Sequence, residues 1–181
     1  PTSRIALDPS HIAVDRIPGL AACAEARRLL DEAAPGVEAA REGAFARYDA
    51  RAAAAAPVLR TLFDAFEDLA PGHPDRMAFA QWAAHEGMAL ESFALFEALS
   101  LRFGPDFRIW PEGFHAPDAP GALTFAAEHP DEVGFHLWLQ WLADSQLATA
   151  QARAKASGMA CGLYLDLAVG VRPDGEVEIE P

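Results

Sequence analysis

Two cysteines in 181 residues, Cys23 and Cys161, stand far apart and outside any metal-type spacing. Neither a disulfide framework nor a zinc site is expected, and a reducing compartment fits. Basic residues are scarce too. Fourteen lysines and arginines face twenty-seven aspartates and glutamates, a formal charge of −13, and a surface of that sign repels phosphate backbones and anionic bilayers. Neither nucleic acid nor membrane is expected as a partner. No apolar run approaches the roughly 20 residues that span a bilayer, and the opening PTSRIALDP lacks the charged and apolar regions of a signal peptide. A cytoplasmic protein is expected. The missing initiator methionine leads to the expectation of a chain cut from something longer. The sequence also lacks a glycine-rich phosphate loop, a nucleophile elbow and a close Cys/His pair, which removes nucleotide and acyl-transfer chemistry.

What is present suits one globular domain or a large piece of one, since 51% of the residues are hydrophobic. The opening TSRIALDPSHIAVDRIPG spaces β-branched residues between Pro and Gly, which predicts extended chain with one short strand near His11 to Val14. PGLAACAEARRLLDEAAPG then predicts a helix from Pro18 that stops at Pro35-Gly36. In the next helix Leu59, Leu62, Phe63 and Phe66 recur at three and four residues, and Pro57 either begins or kinks it. Two more helices follow in PDRMAFAQWAAHEG and MALESFALFEALSLRFG, the second closed by Gly104. Residues 105–121, rich in Pro and Gly, predict a loop.

The longest regular segment runs from Asp131, a good N-cap, to Gly158, with apolar residues on more than one stripe of its first half. The run MACGLYLDLAVGV that follows, residues 159–171, has the length and apolarity of a strand buried on both faces. Such a strand needs neighbours, and this chain supplies almost none.

Several clusters carry polar groups that could do chemistry. Asp166 sits near the expected strand end, where α/β barrels project active-site residues; the alternative is a carboxylate capping the next turn. Glu132, His136, Gln140 and Asp144 fall at intervals of four and line one side of a helix. Glutamine is a poor ligand and no second cluster answers them, so hydrogen-bonded packing between helices is expected, and no metal. Trp82, Trp138 and Trp141 read as core, whereas Trp110, in the Pro-rich loop beside Arg108, reads as a surface platform for a sugar ring. Tyr48 sits at an expected helix start.

Across Glu132, Val133, Phe135, His136, Gln140, Trp141 and Asp166 the sequence resembles the bacterial 4-α-glucanotransferases, or amylomaltases. In that family a helix E-V-x-F-H-x-x-x-Q-W precedes the third strand of a (β/α)8 barrel, and the strand ends in an aspartate. TSRIALDPSHIAV, YDARAAAAAPVLRTLF, ALESFALFEALSLRFG and WPEGF resemble further family segments in the right order, so the resemblance covers nearly all of the chain.

The implied fold is a predominantly α-helical fragment of an α/β (β/α)8 barrel enzyme with about two short strands. Residues 1–17 would be an extended segment after an early barrel strand, 18–130 a helical insertion subdomain, and 131–181 a barrel helix with the third-strand region. The implied reaction is retaining transfer of α-1,4-glucan segments between maltooligosaccharides, without a cofactor. Retention needs two carboxyl groups about 5 Å apart. The family's nucleophile and acid/base motifs, R-I-D-H and E-D-L-G, do not occur here. No catalytic residue is therefore carried over, and the isolated chain is expected to be inactive. Asp166, Trp110 and Tyr48 are the candidate substrate-binding residues. The sequence departs from the family pattern in EVEIEP at 176–181 and at Ala55, where a lysine is common. The competing expectation is a free-standing helical module that binds carbohydrate or protein without catalysis. A third is self-association through exposed strand edges.

Overall fold

The structure is a computed structural model and describes residues 6–42, 45 and 47–165. Six α-helices occur among them: α1 (Ala24–Arg41), α2 (Tyr48–Glu67), α3 (Pro74–Glu86), α4 (Met88–Phe103), α5 (Pro120–Glu128) and α6 (Pro130–Ala156). Short 3-10 turns occupy Pro9–His11, Val14–Arg16 and Phe107–Ile109. The chain divides into two compact units, Ser10–Ala78 and Pro1–Pro9 with Phe79–Pro181, the division falling inside α3.

The two expected strands are not found among the described residues. Around His11 to Val14 the backbone closes local turns, with Arg16 N–H donating to the Ala13 carbonyl (3.0 Å) and Ile17 N–H to that of Val14 (3.3 Å). No neighbouring strand competes for those groups, so the apolar spacing serves turns that bury Ile12 and Ile17. Residues 159–165 are likewise not strand, and 166–171 lie outside the described residues.

In the unit Ser10–Ala78, α1 packs along α2, and the Val14–Arg16 turn also lies against α2. The three-and-four spacing of Val58, Leu59, Leu62, Phe63 and Phe66 makes the buried face of α2. Arg60 and Arg76 lie over the rings of Phe63 and Phe66 at 5.4 and 5.1 Å, covering apolar surface with their stems. Both helices run through a proline, correcting the expected stop at Pro35-Gly36; Pro57 lies inside α2 and does not begin it. A proline deprives the carbonyl four residues back of its donor. Those residues here, Asp31 and Ala53, are exposed, so water can take the place of the lost bond.

In the other unit α4 packs on α6, and α5 touches both. Gly87 (φ 74°) separates α3 from α4 and Gly104 (φ 98°) closes α4, both in a region that side chains rarely enter. Leu95, Phe96, Ala98 and Leu99 of α4 meet Ala122 and Phe125 of α5 in one apolar cluster. α5 begins in the last two residues of the stretch 105–121 expected as loop, with Pro120 in its first turn, where a missing N–H costs nothing. The cap of α6 is His129, not Asp131; Pro130 opens the helix and Asp131 and Glu132 lie in its first turn, where the helix dipole favours acids.

Candidate functional site

The polar stripe on α6 organises its unit. Each member is held, and none of the bonds described requires a metal. Glu132 lies 3.0 Å from His129 Nδ1, and the His129 ring stacks on Phe125 with centroids 4.6 Å apart. Asp144 Oδ2 accepts from Trp82 Nε1 at 3.1 Å. Gln140, 2% exposed, accepts from Leu7 N–H and donates to the Leu7 carbonyl, both at 2.8 Å. Hydrogen-bonded packing is thus what the stripe does, but the partner of Gln140 is the Leu7 backbone, outside any helix. Among the described residues no three His, Cys, Asp or Glu side chains gather as a metal site, and no helix is long and apolar enough to cross a membrane.

Two of the three substrate-binding candidates, Tyr48 and Trp110, fall among the described residues. Asp166 lies outside the described residues. Tyr48 is the first residue of α2 and 69% exposed. Trp110 is 4% exposed and belongs to the α4/α5 cluster, which corrects its reading as a surface platform. Its ring lies 5.4 Å from that of Phe96, its Nε1 donates to the Gly104 carbonyl at 2.8 Å, and its own carbonyl accepts from His115 Nε2 at 2.8 Å. The loop exposes the residues around Trp110 and tucks the indole inward because its N–H finds a partner there.

Beside Trp110, Asp106 accepts from the N–H of Arg108 (3.1 Å) and from its guanidinium (2.8 Å). That guanidinium holds the Asp106 carboxyl below the usual carboxylate range.

An open groove of about 420 Å³, which no local pattern signals, runs between the end of α4 and α5. Phe103, Phe114 and Phe125 form its apolar lining, and Arg102, Glu128 and His129 its polar one. With one carboxylate it cannot supply the nucleophile and acid/base pair of a retaining transfer.

The sequence profile of the 4-alpha-glucanotransferase family matches residues 1–177. A 4-alpha-glucanotransferase of Mycobacterium tuberculosis is 46% identical over 99 residues, 55% of this chain and 14% of that protein. One from Haemophilus influenzae is 29% identical over 144 residues, 74% of this chain and 21% of that protein. The crystal structure of amylomaltase from Corynebacterium glutamicum superposes with a TM-score of 0.71 at 31% identity, over 97% of this chain and 23% of that one. The chain thus spans 14% of the mycobacterial relative and 23% of the solved amylomaltase. On the match over residues 1–177 the chain belongs to the 4-alpha-glucanotransferase family.

Proposed function

We propose that this chain is the part of a cytoplasmic 4-α-glucanotransferase that carries the helical insertion (residues 18–130) and the helix leading into a third barrel strand (131–181). The whole enzyme passes α-1,4-glucan segments between maltooligosaccharides. The observation that carries the reading is the family match over residues 1–177, supported by an α6 on which Glu132, Gln140 and Asp144 are each held by a polar contact as a scaffold would need.

In this reading the described residues build and orient, and the two carboxyl groups of the retaining reaction lie on polypeptide beyond this chain. Asp166 is the strand-end carboxylate that accepts from sugar hydroxyls, and Tyr48, exposed at the head of α2, is a second contact for glucan. Trp110 takes no part in sugar stacking, because its ring is buried.

The test is disproportionation of maltotriose by the whole enzyme and by the 181-residue chain alone. Glucose and longer oligomers are expected from the first and no turnover from the second. Absence of transfer by the whole protein would overturn the activity, and turnover by this chain would overturn the placement of the carboxyl pair.

A further inference from the structure

The groove between the end of α4 and α5 has a wall fixed by close packing. That wall is Phe114, whose ring meets the ring of Phe103 edge to face with centroids 4.8 Å apart. The Phe114 ring also lies against Gly121 in the first turn of α5. A Cβ added at Gly121 would come within 2.9 Å of that ring and 2.7 Å of the Gly113 carbonyl oxygen. Gly113, at φ 93°, holds a backbone that side chains rarely adopt, and its carbonyl accepts from Ala122 N–H at 3.2 Å. Two glycines thus place one aromatic ring along the groove.

Arg102 from the last turn of α4 and Glu128 from the end of α5 line the same groove. Both are exposed, and among the described residues neither side chain has an ion-pair or hydrogen-bond partner. Opposite charges in one lining suit neither an anion nor a cation, since a phosphate would meet Glu128 and an ammonium would meet Arg102. A hydroxyl suits both, because it accepts from the guanidinium and donates to the carboxylate. The half-buried rings of Phe103 and Phe114 suit C–H groups, which the negative face of an aromatic ring attracts. A sugar ring combines the two, with an apolar face and a rim of uncharged hydroxyls. The volume of about 420 Å³ falls within the roughly 300–1,000 Å³ of small-molecule sites.

We propose that this groove is a non-catalytic binding site for α-1,4-glucan, which packs a sugar ring on Phe103 and Phe114 and bonds its hydroxyls through Arg102 and Glu128. The choice of glucan among sugars rests on the reading given under the proposed function. With Glu128 as its one carboxylate the groove holds a chain without cleaving it. A glucan held there raises the effective concentration of its other segments at the reaction centre, a gain open only to chains long enough to reach both.

The test uses the whole enzyme and its variants Arg102→Ala, Glu128→Ala and Gly121→Ala, the last of which displaces Phe114. Retardation in native gels containing amylose gives the apparent affinity, and the melting temperature of each variant reports its fold. Hydrogen exchange with and without maltoheptaose is followed in the peptides that contain Arg102 and Glu128. Maltoheptaose is expected to slow exchange in those peptides of the wild type. Arg102→Ala and Glu128→Ala are each expected to weaken amylose binding about fivefold, the equivalent of one hydrogen bond, at an unchanged melting temperature, and Gly121→Ala to weaken it at least as much. A wild type that disproportionates maltotriose but shows the same exchange with and without maltoheptaose, and the same retardation as its variants, would overturn the groove as a glucan site and leave the proposed function standing. Peptides already protected without sugar, together with a lowered melting temperature in Arg102→Ala and Glu128→Ala, would show another segment of the enzyme seated in the groove and overturn the proposal too. A wild type that transfers nothing from maltotriose would overturn the proposed function and, with it, glucan as the ligand.

Discussion

Gln140→Leu removes a buried side-chain amide, 2% exposed, while nearly keeping its volume. Two groups lose their partner: the Leu7 N–H and the Leu7 carbonyl, each bonded at 2.8 Å. An unpaired buried polar group costs about 1–3 kcal/mol. Leu7 is only half-buried, so water recovers part of the loss and the lower end applies, about 2–3 kcal/mol for the two. The apolar side chain returns about 1 kcal/mol, which leaves a net loss of about 1–2 kcal/mol. Urea unfolding followed by circular dichroism would read this as a lower midpoint at unchanged slope.

Gln140→Glu supplies the sign. At neutral pH it puts an anion against the Leu7 carbonyl at a site 2% exposed, and burial raises the introduced carboxyl's folded pKa above its unfolded value. The folded state then holds the proton more tightly, so the variant is expected to be closest to wild type below about pH 4 and to lose stability as pH rises. A Gln140→Leu midpoint within about 0.5 kcal/mol of wild type, together with a pH-independent Gln140→Glu difference, would refute the account of this clamp.

Trp110→Ala, which empties a site in the α4/α5 cluster, is expected to destabilise by about 3–5 kcal/mol in the same assay; a loss below about 1 kcal/mol would return Trp110 to the surface. Ser100 Oγ is buried without a hydrogen-bond partner among the described residues, so Ser100→Ala is expected to raise the melting temperature by about 2 °C, and a fall would reveal a missed partner. Asp106, its carboxyl lowered chiefly by the hydrogen bond from Arg108, contributes stability above the ordinary carboxylate pKa of about 3.9 that is lost as pH falls through the lower folded value. Its carboxyl ¹³C resonance is expected to titrate below the ordinary aspartate value of about 3.9; a midpoint at or above that value would contradict the pairing.

The helices were legible because the pattern that marks them also buries them: Leu59, Leu62, Phe63 and Phe66 recur at helical spacing and form the buried face of α2. Proline was misleading for the opposite reason. The cost of a lost hydrogen bond depends on whether the orphaned carbonyl can reach water, and nothing in the local sequence says that Asp31 and Ala53 are exposed. α5, nine residues long, is too short for its period to stand out from the proline-rich stretch before it. The stripe on α6 was readable as hydrogen-bonded packing, but Leu7 lies 133 positions from Gln140, and no local rule pairs them. Trp110 reads as surface in the sequence because it sits in a proline-rich stretch between Arg108 and Glu112, while its Phe96, Ala122 and Phe125 surroundings come from two helices.

The most direct test of the central claim is the mass of the native gene product, detected in the source cell with an antibody raised against this chain. A product several times the 19.4 kDa of the 181 residues is expected, as a catalytic carboxyl pair beyond the chain requires. A native product of about 19.4 kDa would contradict the claim and leave a helical module with no place for the transfer chemistry.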